Sequence, residues 1–285
     1  MIFSEMSGGL GNQLFQYAAG RAVGLRLGAP VRMDVCWYRN NPLRAILLDR
    51  FNIQATFATR WESAILQRWE KFVVPVQKYI PVPNLTIIRD FRQENDDRLR
   101  EVEGNVFLKG HWESEGYFAL AAHQIREDLT FKSEPDEENR LVLEQIQASE
   151  AVCLHVRRGD IVHNEWTGAL SVEYYRTALE ILQGRVRQPH FFIFSDDAAW
   201  TRENIKLEFP ATYVTHNVGK RDYEDLRLMT YCKHFIIANS TFSWWGAWLS
   251  RNPGKQILSP KKWFKKRTTP GLLPAEWTLI EAAHE

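Results

Sequence analysis

From residue 151 onward, short apolar runs alternate with amphipathic stretches, and this rhythm restricts the fold more than any other feature of the chain. Strands are expected at 151–157, 190–195, 211–215, 234–238 and 256–259, and helices at 172–183, 198–205, 222–232 and 243–250. Strands alternating with helices build a parallel, doubly wound sheet, so this half of the chain is predicted to be α/β. In the first strand Val152, Leu154 and Val156 alternate with Cys153, His155 and Arg157. That pattern suits a strand buried on both faces whose last residues reach out of the sheet.

The first half opens the same way. Ile2–Met6 reads as a strand, Ser7-Gly-Gly-Leu-Gly11 as a tight loop, Asn12–Leu27 as a helix and Val31–Asp34 as the next strand. Leu14, Tyr17, Ala18, Arg21, Ala22 and Leu25 give the helix a mostly apolar face. The stretch 37–60 is irregular, with a strand or turn at 45–51, and 61–73 is expected to be helical. Pro75, Pro81 and Pro83 then force an extended passage. The charged run 89–103 reads as a solvated loop or helix face, 106–108 as a strand, and 110–118 as a polar, aromatic turn. Acids in the 133–138 stretch start a further helix carrying Leu141, Leu143 and Ile146. A chain of 285 residues holds one large or two medium α/β domains. We place the boundary at 148, giving domains 1–148 and 149–285, with the final helix or tail able to pack back on the first.

Composition excludes several function classes. With 36 basic and 35 acidic residues the net charge is +1, so no global attraction to nucleic acid or to an anionic membrane is expected. Cys36, Cys153 and Cys232 are odd in number, far apart in sequence and without metal-ligand spacing, which points to reduced, buried thiols. No run approaches the roughly 20 apolar residues that cross a bilayer, and no signal peptide is recognised. A cytoplasmic protein is expected, and peripheral association with a membrane stays open. The 11 tryptophans are expected mainly in the core, although sugar sites also use aromatic faces.

Chemistry-bearing residues cluster where strands end. His155, Arg157, Arg158 and Asp160 follow the first strand of the second half, Ser195-Asp-Asp197 follows the second, and Asn239-Ser-Thr-Phe-Ser243 follows the fourth. Asp222-Tyr-Glu-Asp225 precedes that fourth strand. Parallel strands end on one side, so these polar tips are predicted to converge. Arg157 and Arg158 carry planar forks suited to a diphosphate, and the hydroxyls and N–H groups at the start of the helix after Asn239 suit an anion as well. A dinucleotide fingerprint fits the glycine loop only in part. Gly9-x-Gly11 and Asp34 match, but Leu14 stands where the third glycine belongs.

Three segments, Gly8-Gly-Leu-Gly-Asn-Gln-Leu-Phe-Gln-Tyr17, His155-Val-Arg-Arg-Gly-Asp160 and Asn239-Ser-Thr-Phe-Ser-Trp-Trp-Gly-Ala-Trp-Leu249, resemble in order and spacing the bacterial α-1,2-fucosyltransferases. Smaller echoes lie at 112–118, Tyr174-Tyr175, 195–197 and 260–264. The resemblance implies a GT-B-like architecture of two Rossmann-like domains with a cleft between them, the first half facing the acceptor and the second gripping GDP-fucose. It implies an inverting transfer of L-fucose from GDP-β-L-fucose to the 2-hydroxyl of a terminal β-galactoside, in surface glycan (O-antigen or capsule) or oligosaccharide synthesis. The donor is a substrate, and no cofactor and no metal are implied.

By the same likeness Arg157 holds the β-phosphate, and Thr241, Phe242 and Ser243 hold the diphosphate with Asn239, Ser240 and Arg158 beside them. His155 and Asp225 lie near the nucleoside, and Asp196 on the nucleotide side or in a structural role. Asn12 lies near the donor phosphate or sugar, with Gly9, Gly11 and Gln13 as further donor-binding candidates. The base for the acceptor hydroxyl is sought in the loop after the arginines, among Asp160, His163 and Glu165. There the chain departs from its relatives, many of which have a longer loop ending in His-Gly where this one has Trp166-Thr-Gly168. Two alternatives keep less of the resemblance: a transferase of another nucleotide-linked deoxyhexose such as rhamnose, and a non-catalytic carbohydrate-binding protein.

Overall fold

The computed structural model describes residues 1–42, 44–72, 85–90, 97–268 and 271–285, and the expected strand–loop–helix opening is present in it. The chain divides into two units, Met1–Lys132 with Pro270–Leu272 and Ser133–Thr269 with Leu273–Glu285. The proline passage expected over residues 75–83 lies outside the described residues.

In the first unit, β1 (Ile2–Glu5) is followed by α1 (Leu10–Leu27), β2 (Val31–Asp34), β3 (Thr56–Phe57), α2 (Arg60–Phe72), β4 (Thr86–Arg89), α3 (Arg98–Glu101), β5 (Val106–Lys109) and α4 (Ala122–Asp128). The strands form a parallel sheet in the order β3-β2-β1-β5-β4. Helix α1 lies close on this sheet because Gly20 and Gly24 face it. A Cβ on Gly24 would sit 2.6 Å from Val31 Cγ2 and 3.0 Å from the Ala29 carbonyl. The helix ends at Gly28, whose φ of 59° belongs to the left-handed region that glycine enters without penalty. The segment expected as a strand or turn at 45–51 contains a 3-10 turn over Leu48–Arg50.

In the second unit, α5 (Glu137–Gln147) leads into β6 (Glu150–Val156), α6 (Val172–Gln183), β7 (Pro189–Ser195), α7 (Ala198–Asn204), β8 (Ala211–Val214), α8 (Asp222–Tyr231), β9 (His234–Ile236), α9 (Thr241–Leu249), β10 (Ile257–Pro260) and β11 (Thr278–Ile280). The sheet is parallel, in the order β11-β10-β9-β6-β7-β8. Numbered within this unit, that is the doubly wound order of a dinucleotide-binding fold, and it reverses between β6 and β9. Val152, Leu154 and Val156 are buried on one face with Tyr174, Ala178 and Leu182 of α6. Cys153 is buried as well, so β6 is covered on both faces as its unbroken apolar run required. Trp244, Trp245 and Trp248 fill the root of α9. Trp244 lies with ring centroids 5.1 Å from Trp245, 6.0 Å from Trp248 and 5.5 Å from Trp277.

Two domain expectations change. The boundary at 148 moves to 132/133, because α5 belongs to the second unit: fully buried Asn139 donates to Asn217 at 3.0 Å, and Arg227 donates to the Ser133 carbonyl at 2.7 Å. Among the described residues the tail forms no helix. Gly271 joins the first unit, accepting from Ser114 Oγ at 2.8 Å, whereas Thr278–Ile280 adds the edge strand β11 to the second sheet.

Candidate active site

The reversal of strand order puts the tips of β6 and β9 side by side, and open α/β sheets bind ligands at such a point, beyond the carboxyl ends of the strands. Arg157 follows β6, and Asn239–Ser243 follows β9. Arg157 Nη1 donates to Ser240 Oγ at 3.2 Å, and its Nη2 donates to both carboxylate oxygens of Asp160 at 2.7 and 3.0 Å. The predicted convergence of these tips is therefore present within the second unit. Ser240 is the N-cap of α9, accepting from the Phe242 N–H at 3.4 Å, so the positive end of the helix and the guanidinium share one place. Arg157 Nε and His155 Nδ1 are buried without a hydrogen-bond partner among the described residues. Buried polar atoms are rarely left so, and a bound ligand is one of the things that satisfies them.

His155 lies 6.0 Å from the Phe242 ring, centroid to centroid. Burial, helped by the Arg157 charge, pushes its pKa down to about 3, so the imidazole is neutral at ordinary pH. Asn239 Nδ2 donates to the carbonyls of Gly168 at 3.0 Å and Trp263 at 3.1 Å, which ties the turn after β9 to the loop after β6. Ser243 turns its hydroxyl back to the carbonyls of Ser240 and Ala238, at 3.3 and 3.5 Å, while Thr241 and Phe242 remain partly exposed.

The adjacent arginines divide. Arg158 Nη1 bonds Glu285 Oε2 at 2.7 Å, and its guanidinium lies 3.7 Å from the centroid of Trp200. Only 11% of its side chain is exposed, so the second fork expected on the diphosphate is engaged elsewhere. Asp196 accepts from the Arg158 N–H at 2.7 Å and thereby fixes the exit from β6, and Asp197 caps α7. Asp225 accepts from Asn217 Nδ2 at 2.9 Å, and Asn217 also donates to Asn139 at 2.7 Å. Burial raises the Asp225 carboxyl to about 7 against the opposing pull of the Asn217 hydrogen bond, with Asp222 and Glu224 adding to the rise. Of the candidate bases, Asp160 touches Arg157, whereas Glu165 pairs with Lys266 at 3.1 Å and is 80% exposed. Cys153 and Cys232, 79 positions apart in sequence, have their thiols together, and burial pushes the Cys153 thiol up; all three cysteines are free.

Gly9, Gly11, Asn12 and Gln13 belong to the first unit. Gly9 is the N-cap of α1, and its carbonyl accepts from Asn12 and Gln13 N–H at 3.0 and 3.1 Å. Gln13 is fully buried, donating to the Ala45 carbonyl at 2.8 Å and accepting from the Leu47 N–H at 3.0 Å, so its amide holds the 45–47 segment. Gly8 has a φ of 75° and its carbonyl accepts from Tyr38 Oη at 2.9 Å. Arg44, which sequence reasoning missed because it stands in an irregular stretch, brings Nη1 within 3.5 Å of where a Cβ on Gly9 would be. Glu285 and Trp200 were missed for a similar reason: each meets Arg158 from a distant part of the chain. In the 110–118 turn, Trp112 is buried edge-on against Tyr117 at 5.2 Å and is therefore core. A cavity of about 540 Å³ in the first unit is lined by Val23, Leu25, Leu99, Tyr117 and Leu120, none of them a predicted site residue.

The described residues contain no cluster of metal-ligating side chains and no helix long and apolar enough to cross a membrane. A family model described as Glycosyl transferase family 11 matches residues 89–281. The chain is similar to an alpha-1,2-colitosyltransferase of Escherichia coli, 29% identical over 99% of this chain and 99% of that one. It is also similar to galactoside alpha-(1,2)-fucosyltransferase 2 of Hylobates lar, at 26% identity over 96% of this chain and 78% of the relative. The fucosyltransferase NodZ from Bradyrhizobium superposes with a TM-score of 0.55 at 14% identity, covering 89% of this chain and 96% of that one. A NodZ alpha-1,6-fucosyltransferase structure soaked with GDP-fucose gives 0.52 at 15% identity, covering 87% and 91%. These likenesses place the fold of two parallel-sheet α/β units among the GT-B-like glycosyltransferases.

Proposed function

Because the chain belongs to glycosyl transferase family 11, we propose that it is an inverting transferase moving L-fucose from GDP-β-L-fucose to the 2-hydroxyl of a terminal β-galactoside, in surface glycan or oligosaccharide synthesis. The observation that carries this reading is the Arg157–Ser240 contact of 3.2 Å at the reversal point of the second sheet. Breaking the anomeric bond builds positive charge on the sugar and negative charge on the departing diphosphate. A guanidinium beside the N-terminus of α9 meets that negative charge where it develops, and fixed charges of this kind supply the role that a metal plays in other transferases. Neutral His155 and Asp225 take the nucleoside side of the donor. Asp160 is the favoured base for the acceptor hydroxyl, since it sits at the strand tip on the arginine itself.

A second reading, transfer of another nucleotide-linked deoxyhexose on the same fold, is favoured by the similarity to a colitosyltransferase. Incubation with a panel of sugar nucleotides and galactosides, with linkage analysis of the product, tests both. An α-1,2-linked fucosyl product supports the first. Turnover of a different deoxyhexose donor, with GDP-fucose inert, selects the second, and no stabilisation by GDP in a thermal melt removes both.

A further inference from the structure

The loop that follows Arg157 presents an indole that the donor site does not use. Trp166 is 63% exposed, although most tryptophans of this chain that flank the site are buried in the core. A single exposed aromatic residue is ordinary on a mobile loop. Here the backbone beneath it is fixed. Asn164 Oδ1 accepts from the N–H groups of Trp166 and Thr167 at 2.8 and 3.1 Å, and the Trp166 carbonyl accepts from the Lys265 N–H at 2.8 Å. Two residues on, the Gly168 carbonyl accepts from Asn239 Nδ2 at 3.0 Å and faces His284 Nδ1 at 3.3 Å. Gly168 has a φ of 69°, in the left-handed region, and a Cβ there would come 2.1 Å from Lys265 Cε, so the turn strongly favours glycine. Lys266 Nζ stands 5.4 Å from the indole centroid and pairs with Glu165 at 3.1 Å.

These contacts connect the indole to the donor grip in a few steps: Arg157 bonds Ser240, Ser240 follows Asn239, and Asn239 holds the loop two residues beyond Trp166. The acceptor hydroxyl must reach the donor's anomeric carbon, so part of the acceptor ring lies beside the diphosphate site whatever else binds it. A galactopyranoside has one face made of C–H groups, which packs on an aromatic ring, and a rim of hydroxyls, which a carboxylate and an ammonium can bond.

On the transferase reading above, we infer that Trp166 is the stacking platform for the pyranose ring of the acceptor, with Glu165 and Lys266 as its polar rim. An exposed indole on a backbone already held costs little loop ordering when the sugar binds. The test compares wild type with Trp166→Ala and Trp166→Phe in the full chain, using GDP-fucose and methyl β-galactoside. Trp166→Ala is expected to raise the acceptor KM by about tenfold while GDP affinity stays as in wild type, and Trp166→Phe to recover most of the loss. An acceptor KM unchanged in Trp166→Ala overturns the inference, as does a variant in which GDP affinity falls in step with the acceptor's, since the ring would then be structural. Quenching of tryptophan emission by methyl β-galactoside in wild type and not in Trp166→Phe supports it independently of turnover. If wild type binds no GDP, the transferase reading itself falls, and this inference with it.

Discussion

Glu285 Oε2 accepts from Arg158 Nη1 at 2.7 Å, joining residues 127 positions apart, and the same guanidinium lies over Trp200. This pair fastens the segment after β11 to the turn that presents Arg157. Glu285 is about one-third exposed, so screening keeps the pair modest. Glu285→Ala is expected to cost roughly 1 kcal/mol, seen as a Tm lower by about 2–4 °C. Arg158→Ala should cost more, since it also removes the stack on Trp200. Thermal melts of both variants and of the double mutant give the coupling; a fully additive pair would show that the contact contributes nothing.

Arg157→Ala should leave the fold intact and nearly abolish transfer. Loss of one preorganised charge-stabilising donor lowers kcat by about 10²–10³. Steady-state kinetics with circular dichroism as the control checks this, and full activity in the variant would refute the diphosphate assignment.

Transfer should proceed undiminished in an excess of chelator, because on the proposed mechanism the charge on the leaving group is met by Arg157 and the first turn of α9. The measurement is the initial rate with and without EDTA after extensive dialysis. Strict dependence on an added divalent ion would contradict the mechanism.

Asp225 has a folded pKa of about 7, whereas an unfolded carboxyl titrates near about 3.9. Between those values the native state holds a proton that the unfolded chain has released, so this residue lowers stability as pH rises through the window. Asp225→Asn removes that dependence. The Tm of the variant relative to wild type should therefore climb from about pH 4 to about pH 7 and level off above. His155, whose folded pKa is shifted the other way, is common to both proteins and cancels in the difference.

Gly24→Ala should destabilise the first unit although alanine is the better helix former. Overpacking against Val31 and the Ala29 carbonyl costs roughly 1–3 kcal/mol, and the propensity gain of about 1 kcal/mol offsets only part. Gly184→Ala is the control. Its φ is −69° and the added Cβ would meet nothing closer than 3.5 Å, so its Tm should be unchanged or higher.

Much of the second unit was legible because each strand from β6 to β10 is an apolar run bounded by polar residues, and each helix between them has its own periodicity. Convergence of Arg157 with Asn239–Ser243 followed from parallel strands ending on one side. The edge strands were harder. Thr56–Phe57 has two residues, both exposed, and Thr86–Arg89 has exposed ends, so neither shows the pattern of a buried strand. Helix α5 shows its own periodicity, but its place in the second unit is not legible in the sequence, because its partners Asn217 and Arg221 lie far along the chain. The fates of Arg158 and Gln13 were invisible for the same reason. A guanidinium or amide in a motif looks available until its distant partner is located.

The tryptophans packed at the root of α9 have a practical consequence. Indoles this close couple electronically, so their near-ultraviolet spectrum depends on how they are stacked, and Trp244 and Trp245 stand within one helical turn of the Thr241 and Ser243 hydroxyls. The molecule thus carries its own optical gauge: a disturbance of the turn after β9 registers as a change in ellipticity, with no label attached and no reaction run.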